Sequence, residues 1–312
     1  MSNIHSTVGI IGLGLIGGSM ALDLKRRGFA VRTLGVENDP VAAAAAKTIG
    51  LVDEVVSYED CVKQADIVVV AVPVGTAVKM VPDILDRFAS REDAPDRAFS
   101  RTGSRSDAES RVSSRPSHQI VIDVCSTKEQ ICNATKYHPL RKQFVSTHPM
   151  AGTEYSGPWA AQPGLFDGRA CIFANSEESS PKALKTIEEL YAVLNMRPIY
   201  MNAGQHDLHT AYVSHISHVT SFALALTVLD KEQDEKHIFD LASGGFSSTV
   251  RLAKSNADMW VPILTQNHDN VLHVMDTYIE KMTAFREAVA DYDEDRIREL
   301  ITEANRIKKI LR

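Results

Sequence analysis

The stretch TVGIIGLGLIGGSMALDLKRRG, residues 7 to 28, decides how the rest of the chain is read. It opens as a short β-branched run, passes through Gly12, Gly14 and Gly17, and continues as SMALDLKRR, which has helical composition. A strand that turns through G-x-G-x-x-G directly into a helix suits one kind of ligand. The glycines permit a tight turn and close backbone approach, and the helix N-terminus offers unbonded N–H groups and the positive end of its dipole to a pyrophosphate. At the end of the next strand-like run, AVRTLGVEN (30–38), stands Glu37. A carboxylate there accepts hydrogen bonds from a ribose 2′-hydroxyl and repels a 2′-phosphate, so NAD is favoured over NADP. Gly12, Gly14, Leu15, Ile16, Gly17 and Glu37 are therefore expected to line the dinucleotide.

Outward from this unit the pattern repeats. IVVVAVP (67–73) is a continuous apolar run, as expected of a strand covered on both faces, and it places Val72 and Pro73 beside the same ligand. VIDV (121–124) and FVST (144–147) read as two further strands, with helical sequence between. Strands alternating with helices imply an α/β fold with an N-terminal doubly wound parallel sheet of the Rossmann type. From about residue 175 the composition turns helical. SPKALKTIEELYAVLNM (180–196) is amphipathic. HTAYVSHISHVTSFALALTVL (209–229) is apolar nearly all round and so is expected to be buried. Val271, Met275, Tyr278, Met282, Phe285 and Val289 form a heptad-like stripe, and RIRELITEANRIKKIL (296–311) closes the chain. The expected division is residues 1–175 for the dinucleotide and 176–312 for an all-helical domain, whose stripe suits mutual burial with a second subunit, a homodimer. Residues 91–118, with seven serines and six arginines, read as a mobile polar insertion.

A net charge of −6 gives no global attraction to nucleic acid or to an anionic membrane, so neither is an expected partner. The four cysteines form no C-x-x-C pair, and the N-terminus lacks a basic leader; together these point to a cytoplasmic protein with free thiols. The run Ile67–Val74 is too short to span a bilayer.

Candidate chemistry clusters in three places. STHPMAGTEYSGP (146–158) holds His148, Thr153 and Glu154 among glycines and prolines, so it reads as a loop. His148 follows FVST directly, and ligands of open parallel sheets bind outside the carboxyl ends of strands. Its imidazole is placed to pull on a substrate hydroxyl while hydride leaves the same carbon. Ser126, in DVCSTKE, ends the preceding strand in the same way and is expected near both the cofactor and His148. His215 and His218 share one face of the apolar helix, and His206 and His209 repeat that spacing upstream. No cysteine or acidic pattern completes a metal site, and hydrogen bonds to a buried carboxylate are the better reading. In GGFSSTVRLAKSNADMW (244–260), Arg251 beside a glycine-broken turn is suited to grip a carboxylate. Lys128 and Lys254 are expected to be solvated.

Taken together, GLGLIGGSMA (12–21), DVCSTK (123–128), HPMAGTEYSG (148–157), SHISH (214–218) and GGFSSTVRLAKS (244–255) with Met259-Trp260 resemble the prephenate dehydrogenase family of tyrosine biosynthesis. The resemblance implies NAD-dependent oxidative decarboxylation of prephenate to 4-hydroxyphenylpyruvate by a dinucleotide-binding domain joined to a helical dimerisation domain. It implies that His148 accepts the hydrogen bond of the ring hydroxyl and that Ser126 orients it. Arg251 would bind a substrate carboxylate, and His215 and His218 would hold the side-chain end. Thr153 and Glu154 would line or gate the entrance, with Ser214, Gly244 and Trp260 completing the substrate site. The chain departs from the family's usual pattern at Cys125, where glycine is common, and at Ser247 and Ser248, where relatives often carry charges. An arogenate dehydrogenase on the same scaffold is the nearest rival. A β-hydroxyacid dehydrogenase would need a catalytic lysine on the helix around SHISH, which has none. A non-catalytic NAD-binding module would not need His148, Ser126 and Arg251 together.

Overall fold

The computed structural model describes residues 6–92, 119–232 and 237–310. All but the first two residues of the serine- and arginine-rich insertion lie outside them.

The strands are β1 (Ser6–Ile11), β2 (Ala30–Val36), β3 (Glu54–Val55), β4 (Ile67–Val70), β5 (Ile120–Asp123), β6 (Phe144–Pro149), β7 (Ala170–Ala174) and β8 (Arg197–Met201). They form one sheet in the order β3-β2-β1-β4-β5-β6-β7-β8. Every pair is parallel except β6 with β7. Helices α1 (Leu15–Arg26), α2 (Pro40–Ile49), α3 (Tyr58–Gln64), α4 (Val74–Glu92), α5 (Glu129–Thr135) and α6 (Pro181–Val193) belong to this half. The central strands β4 and β5 are buried on both faces, which is why IVVV and IVI read as unbroken Val/Ile runs. Residues of alternating direction feed two cores, one around Val8, Ile10, Val69 and Phe173, the other around Ile11, Val68, Val70 and Phe88.

Three expectations need correction. First, the sheet does not stop near residue 175: β8 is part of it, and α6 packs on it through Ile187, Leu190 and Tyr191. Composition misleads here because β8 is a short outer strand, RPIYM, where Pro198 and exposed side chains are tolerated. Second, His148 and Pro149 lie in β6 rather than in a loop. Pairing with β5 ends at Ser146, while pairing with β7 continues to Pro149. Met150 N donates to Ala170 O, so the nitrogen of Pro149 points away from β7, toward the side where β5 has ended and no partner is missed. Third, the apolar helix is not buried within one chain.

That helix runs without a break from α7 (Ala203–Thr210) through one π turn (Ala211–His215) into α8 (Ile216–Glu232). Asn202 and Gln205 cap its start reciprocally. The rest of the helical half is α9 (Gly244–Thr249), a 3-10 segment Arg251–Lys254, α10 (Ala257–Gln266), α11 (His268–Ala290) and α12 (Glu294–Ala304). Of the heptad-like stripe on α11 only Val271 is buried; Met282 and Val289 are 52% and 60% exposed. By length and composition alone, Ala203–Glu232 could cross a membrane, yet only 11% of its most apolar window is buried in the single chain. A large apolar surface on this half therefore lacks a cover.

Candidate active site

The sheet order reverses at β1, between β2 and β4, so the crevice outside the carboxyl ends of β1 and β4 is the expected ligand position. Gly12 follows β1 there with φ of +95°, and a Cβ on it would meet Ala71 O at 2.4 Å. A Cβ on Gly17 would sit 2.0 Å from Gly12 O. Both glycines are needed to bring the helix start against the strand turn. Gly14 differs: nothing lies within 4 Å of its would-be Cβ, and it caps α1 without a side-chain hydrogen bond. The open N-terminus of α1, with Leu15 and Ile16 in its first turn, thus faces unfilled space, as a pyrophosphate cradle requires. Glu37 lies just past β2 and accepts from Leu13 N at 3.0 Å and Asn38 N at 2.9 Å. This ties the Glu37 carboxylate to the glycine turn. Val72 and Pro73 follow β4, and Cys125 is buried with Sγ 3.9 Å from Val72 O. The residues present fit a bound dinucleotide.

His148 stands further along the same edge. Its Nδ1 is 2.8 Å from His206 Nε2, and His206 Nδ1 is 2.7 Å from Asp207 Oδ1. Ser126, partly exposed just past β5, makes no hydrogen bond to His148; His206 of the helical half holds that position instead. Asp207 reaches back to the sheet, accepting Lys128 N at 2.7 Å and Glu129 N at 2.9 Å. Asn267 Nδ2 bonds Asp207 O at 2.6 Å and His215 Nδ1 at 3.1 Å. In an unbroken α-helix, positions 206 and 215 would be about 2.5 turns apart and on opposite faces. The π turn inserts one residue and swings His215 back toward His206.

Beneath His148 lies a second polar network that the sequence reading missed. Lys128 is fully buried rather than solvated. Its Nζ donates to Asp123 and, at 2.7 Å, to Thr147 O, the carbonyl preceding His148. Ser146 Oγ also donates to Asp123, at 3.0 Å, and Thr147 Oγ1 bonds Tyr191 OH at 2.7 Å. Burial opposes the charge of Lys128, but Asp123 beside it prevails and raises its pKa. For His148 the burial of the ring, then the neighbouring His206, Lys128 and His215, push the pKa well below the ordinary value. Burial takes His206 down to about 2 and His215 to about 4. All three imidazoles are neutral at physiological pH.

The remaining candidates continue outward. His218 stacks on Trp260 at 3.6 Å between ring centroids, and His215 meets the same indole edge-on at 5.9 Å. Ser214 O accepts from His218 Nδ1 at 3.0 Å. Trp260 is buried and its Nε1 has no hydrogen-bond partner among the described residues, a donor left over for a ligand. His218 is lowered by burial and, more weakly, by the charge of Arg251. Arg251 Nη1 lies 3.2 Å from Glu154 Oε2 in a pair exposed on the arginine side. Thr153 is exposed, with Oγ1 accepting from Tyr155 N at 3.3 Å, and Gly244 is exposed at the start of α9. Ser247 and Ser248 are exposed on α9, as is Lys254 beyond it. Among the described residues no group of three His, Cys, Asp or Glu is placed to hold a metal ion.

A dinucleotide cradle at a sheet switch point, a neutral histidine further along that edge, and a helical half supplying polar groups to it define a nicotinamide-dependent dehydrogenase of two parts. Comparison with known proteins narrows the class. The family model for the prephenate dehydrogenase nucleotide-binding domain matches residues 20–90 and 112–200, and that for the prephenate dehydrogenase dimerization domain matches 202–303. The chain belongs to the prephenate dehydrogenase family. It is 29% identical over 299 residues to prephenate dehydrogenase of Bacillus subtilis, covering 95% of this chain and 74% of that one. It is 26% identical to cyclohexadienyl dehydrogenase of Zymomonas mobilis, covering 99% and 97%. The crystal structure of prephenate dehydrogenase from Aquifex aeolicus in complex with hydroxyphenyl propionate and NAD+ aligns with a TM-score of 0.78 at 25% identity, over 99% of this chain and 100% of that one. Arogenate dehydrogenase of Synechocystis shares the fold, with a TM-score of 0.68 at 21% identity over 97% and 99%.

Proposed function

We propose that the chain catalyses NAD-dependent oxidative decarboxylation of prephenate to 4-hydroxyphenylpyruvate, carbon dioxide and NADH, and so serves tyrosine biosynthesis. The observation that carries the proposal is the neutral His148 at the carboxyl edge of the sheet, bonded to a helical half that also presents His215, His218 and Trp260. When bound, NAD supplies the hydride acceptor. Gly12, Gly14, Leu15, Ile16 and Gly17 would hold its pyrophosphate, Glu37 its adenosine ribose, and Val72, Pro73 and Ser126 the approach to its nicotinamide.

Prephenate carries two carboxylates, and desolvating them demands fixed donors. Arg251 supplies one, exchanging its exposed pair with Glu154 for the substrate. Trp260 Nε1, Ser214, His215, His218 and the backbone at Gly244 serve the side-chain end, and Thr153 and Glu154 border the entrance. His148 then accepts the hydrogen bond of the C4 hydroxyl. Hydride leaves C4, the C1 carboxylate departs as carbon dioxide, and the ring becomes aromatic, so the protein need only position, orient and exclude water. Of the described site carboxylates, Asp207 holds His206 and Asp123 holds Lys128, and Glu154, released when Arg251 turns to the substrate, borders the entrance. The side-chain end, with His215 and His218, thus offers the ammonium of arogenate no carboxylate of its own, which favours prephenate.

We place the functional boundary at Asn202, where the sheet ends. The helical half is proposed to pair with a second copy in a cytoplasmic homodimer, in keeping with its uncovered α8 and α11 surfaces and the four free cysteines. The deciding experiment compares NADH or NADPH formation on prephenate and arogenate. Prephenate with NAD should be fastest, and His148→Asn should bind both ligands yet lose most of its turnover. Faster turnover of arogenate would replace the substrate; unchanged kcat in His148→Asn would remove the base.

A further inference from the structure

We infer that His206, held by Asp207, is a positioning residue that fixes which nitrogen of His148 carries the ring proton and leaves the Nε2 lone pair toward the substrate. The inference rests on the reading of His148 as the base.

The hydrogen-bond partners set the direction of the chain. Both oxygens of Asp207 already accept backbone N–H groups, Oδ1 from Lys128 and Oδ2 from Glu129. Asp207 is therefore an acceptor at Oδ1 as well, and His206 Nδ1–H donates to it. A neutral His206 with its proton on Nδ1 has only a lone pair on Nε2. That lone pair accepts from Nδ1–H of His148 across 2.8 Å. A neutral His148 with its proton on Nδ1 has its lone pair on Nε2, which has no hydrogen-bond partner among the described residues. An imidazole without this neighbour can carry its proton on either nitrogen, and one of the two forms has no acceptor for a substrate hydroxyl.

The surroundings keep both rings neutral, so the chain of donors cannot reverse by gaining a proton. His148 is faced by His206 from α7, by His215 from the π turn, by Lys128 from the segment after β5, and by Cys171 from β7; behind them Asp207 holds His206, and Asp123 at the end of β5 holds Lys128. The buried ammonium of Lys128 opposes a second positive charge on either ring. Burial raises the carboxyl of Asp207, and the N–H donors of Glu129 and Lys128 pull the other way. Lys128 serves His148 twice. With Glu129 its backbone N–H orients the Asp207 end of the relay, and its Nζ holds Thr147 O next to His148. His206 belongs to the helical half and His148 to the sheet, so the base is set only when the two halves are docked.

Nitrogen-15 NMR of the whole ligand-free protein reads the tautomer directly, with His148 assigned by comparison with His148→Asn. The wild type should show His148 protonated on Nδ1. In His206→Leu this preference should vanish, and kcat should fall on the order of 10²-fold while NAD binding stays unchanged. His206→Gln keeps an acceptor for Nδ1–H and should retain both the tautomer and turnover within about tenfold. A wild-type His148 protonated on Nε2, or a His206→Leu enzyme within threefold of wild type, would overturn the inference. Should His206→Leu not fold, the wild-type spectrum and the Gln variant still decide. The spectrum needs no substrate, so an enzyme inactive on prephenate refutes the functional reading, while the tautomer of His148 is read separately.

Discussion

At the scale of single residues, the site is built from groups that are neutral because they are enclosed. This has a cost in acid. His206 and His215 are almost wholly buried, with pKa values pushed to about 2 and about 4, against roughly 6.5 in an unfolded chain. Below that unfolded value the unfolded chain binds protons that the folded chain refuses. The stability these residues leave intact above pH 6.5 is therefore lost as pH falls, approaching about 1.4 kcal/mol per pH unit for each. Urea midpoints should drop between pH 7 and pH 5, and less steeply in His206→Gln; a flat wild-type profile would contradict the neutral assignment. Glu37 makes a separate prediction. Its carboxylate bonds the glycine turn, and on the ribose contact proposed above it would repel a 2′-phosphate, so Glu37→Ala should raise kcat/KM with NADP relative to NAD by an order of magnitude or more. An unchanged ratio would remove it from the ribose site. The sequence singled out His148, Arg251 and Glu37 as candidates because each stands at a signalled place: a strand end, a glycine-broken turn, a fixed offset from G-x-G-x-x-G. It concealed Lys128 and Asp207, because a lysine or aspartate reads as solvated unless its buried partner, far away in sequence, is known.

At the scale of elements, β1, its turn and α1 act as one part, and its glycines have unequal duties. Gly17→Ala drives a Cβ into Gly12 O and should lower both Tm and dinucleotide affinity. Gly14→Ala meets no protein atom, and its extended backbone suits any residue. It should leave Tm within a degree or two while still weakening NAD binding, because its methyl points into the cradle. Equal effects of the two changes on Tm would refute this division. Strands β4 and β5 were legible because central parallel strands are largely apolar, and β1 and β2 because they frame the glycine turn. The last three were harder. β6 carries a proline that is harmless only because its neighbour strand stops first, and β8 lies at the sheet's edge, where neither proline nor exposure is excluded. The π turn left no mark in the sequence, since one extra residue in a turn alters no composition.

At the scale of the whole molecule, the helical half is unfinished in a single chain. Leu226, Ile279 and Met282 are each more than half exposed. The apolar periodicity of α11 was plain in the sequence, but periodicity identifies a face without saying what covers it, and the expectation that the 209–229 helix would be buried came from that ambiguity. On the dimer proposed above, Met282→Asp should place a charge in the contact and give a monomer by sedimentation, with the sheet half still folded. A dimer that persists at the same dissociation constant would move the contact elsewhere.

One continuous helix bears both His206, which touches His148, and the leucines of α8 that face outward. Whatever loosens those leucines also loosens the imidazole at the far end. Specific activity should accordingly decline on dilution at concentrations where the sheet's circular dichroism is still intact, so that the first symptom of separated subunits is a slow enzyme.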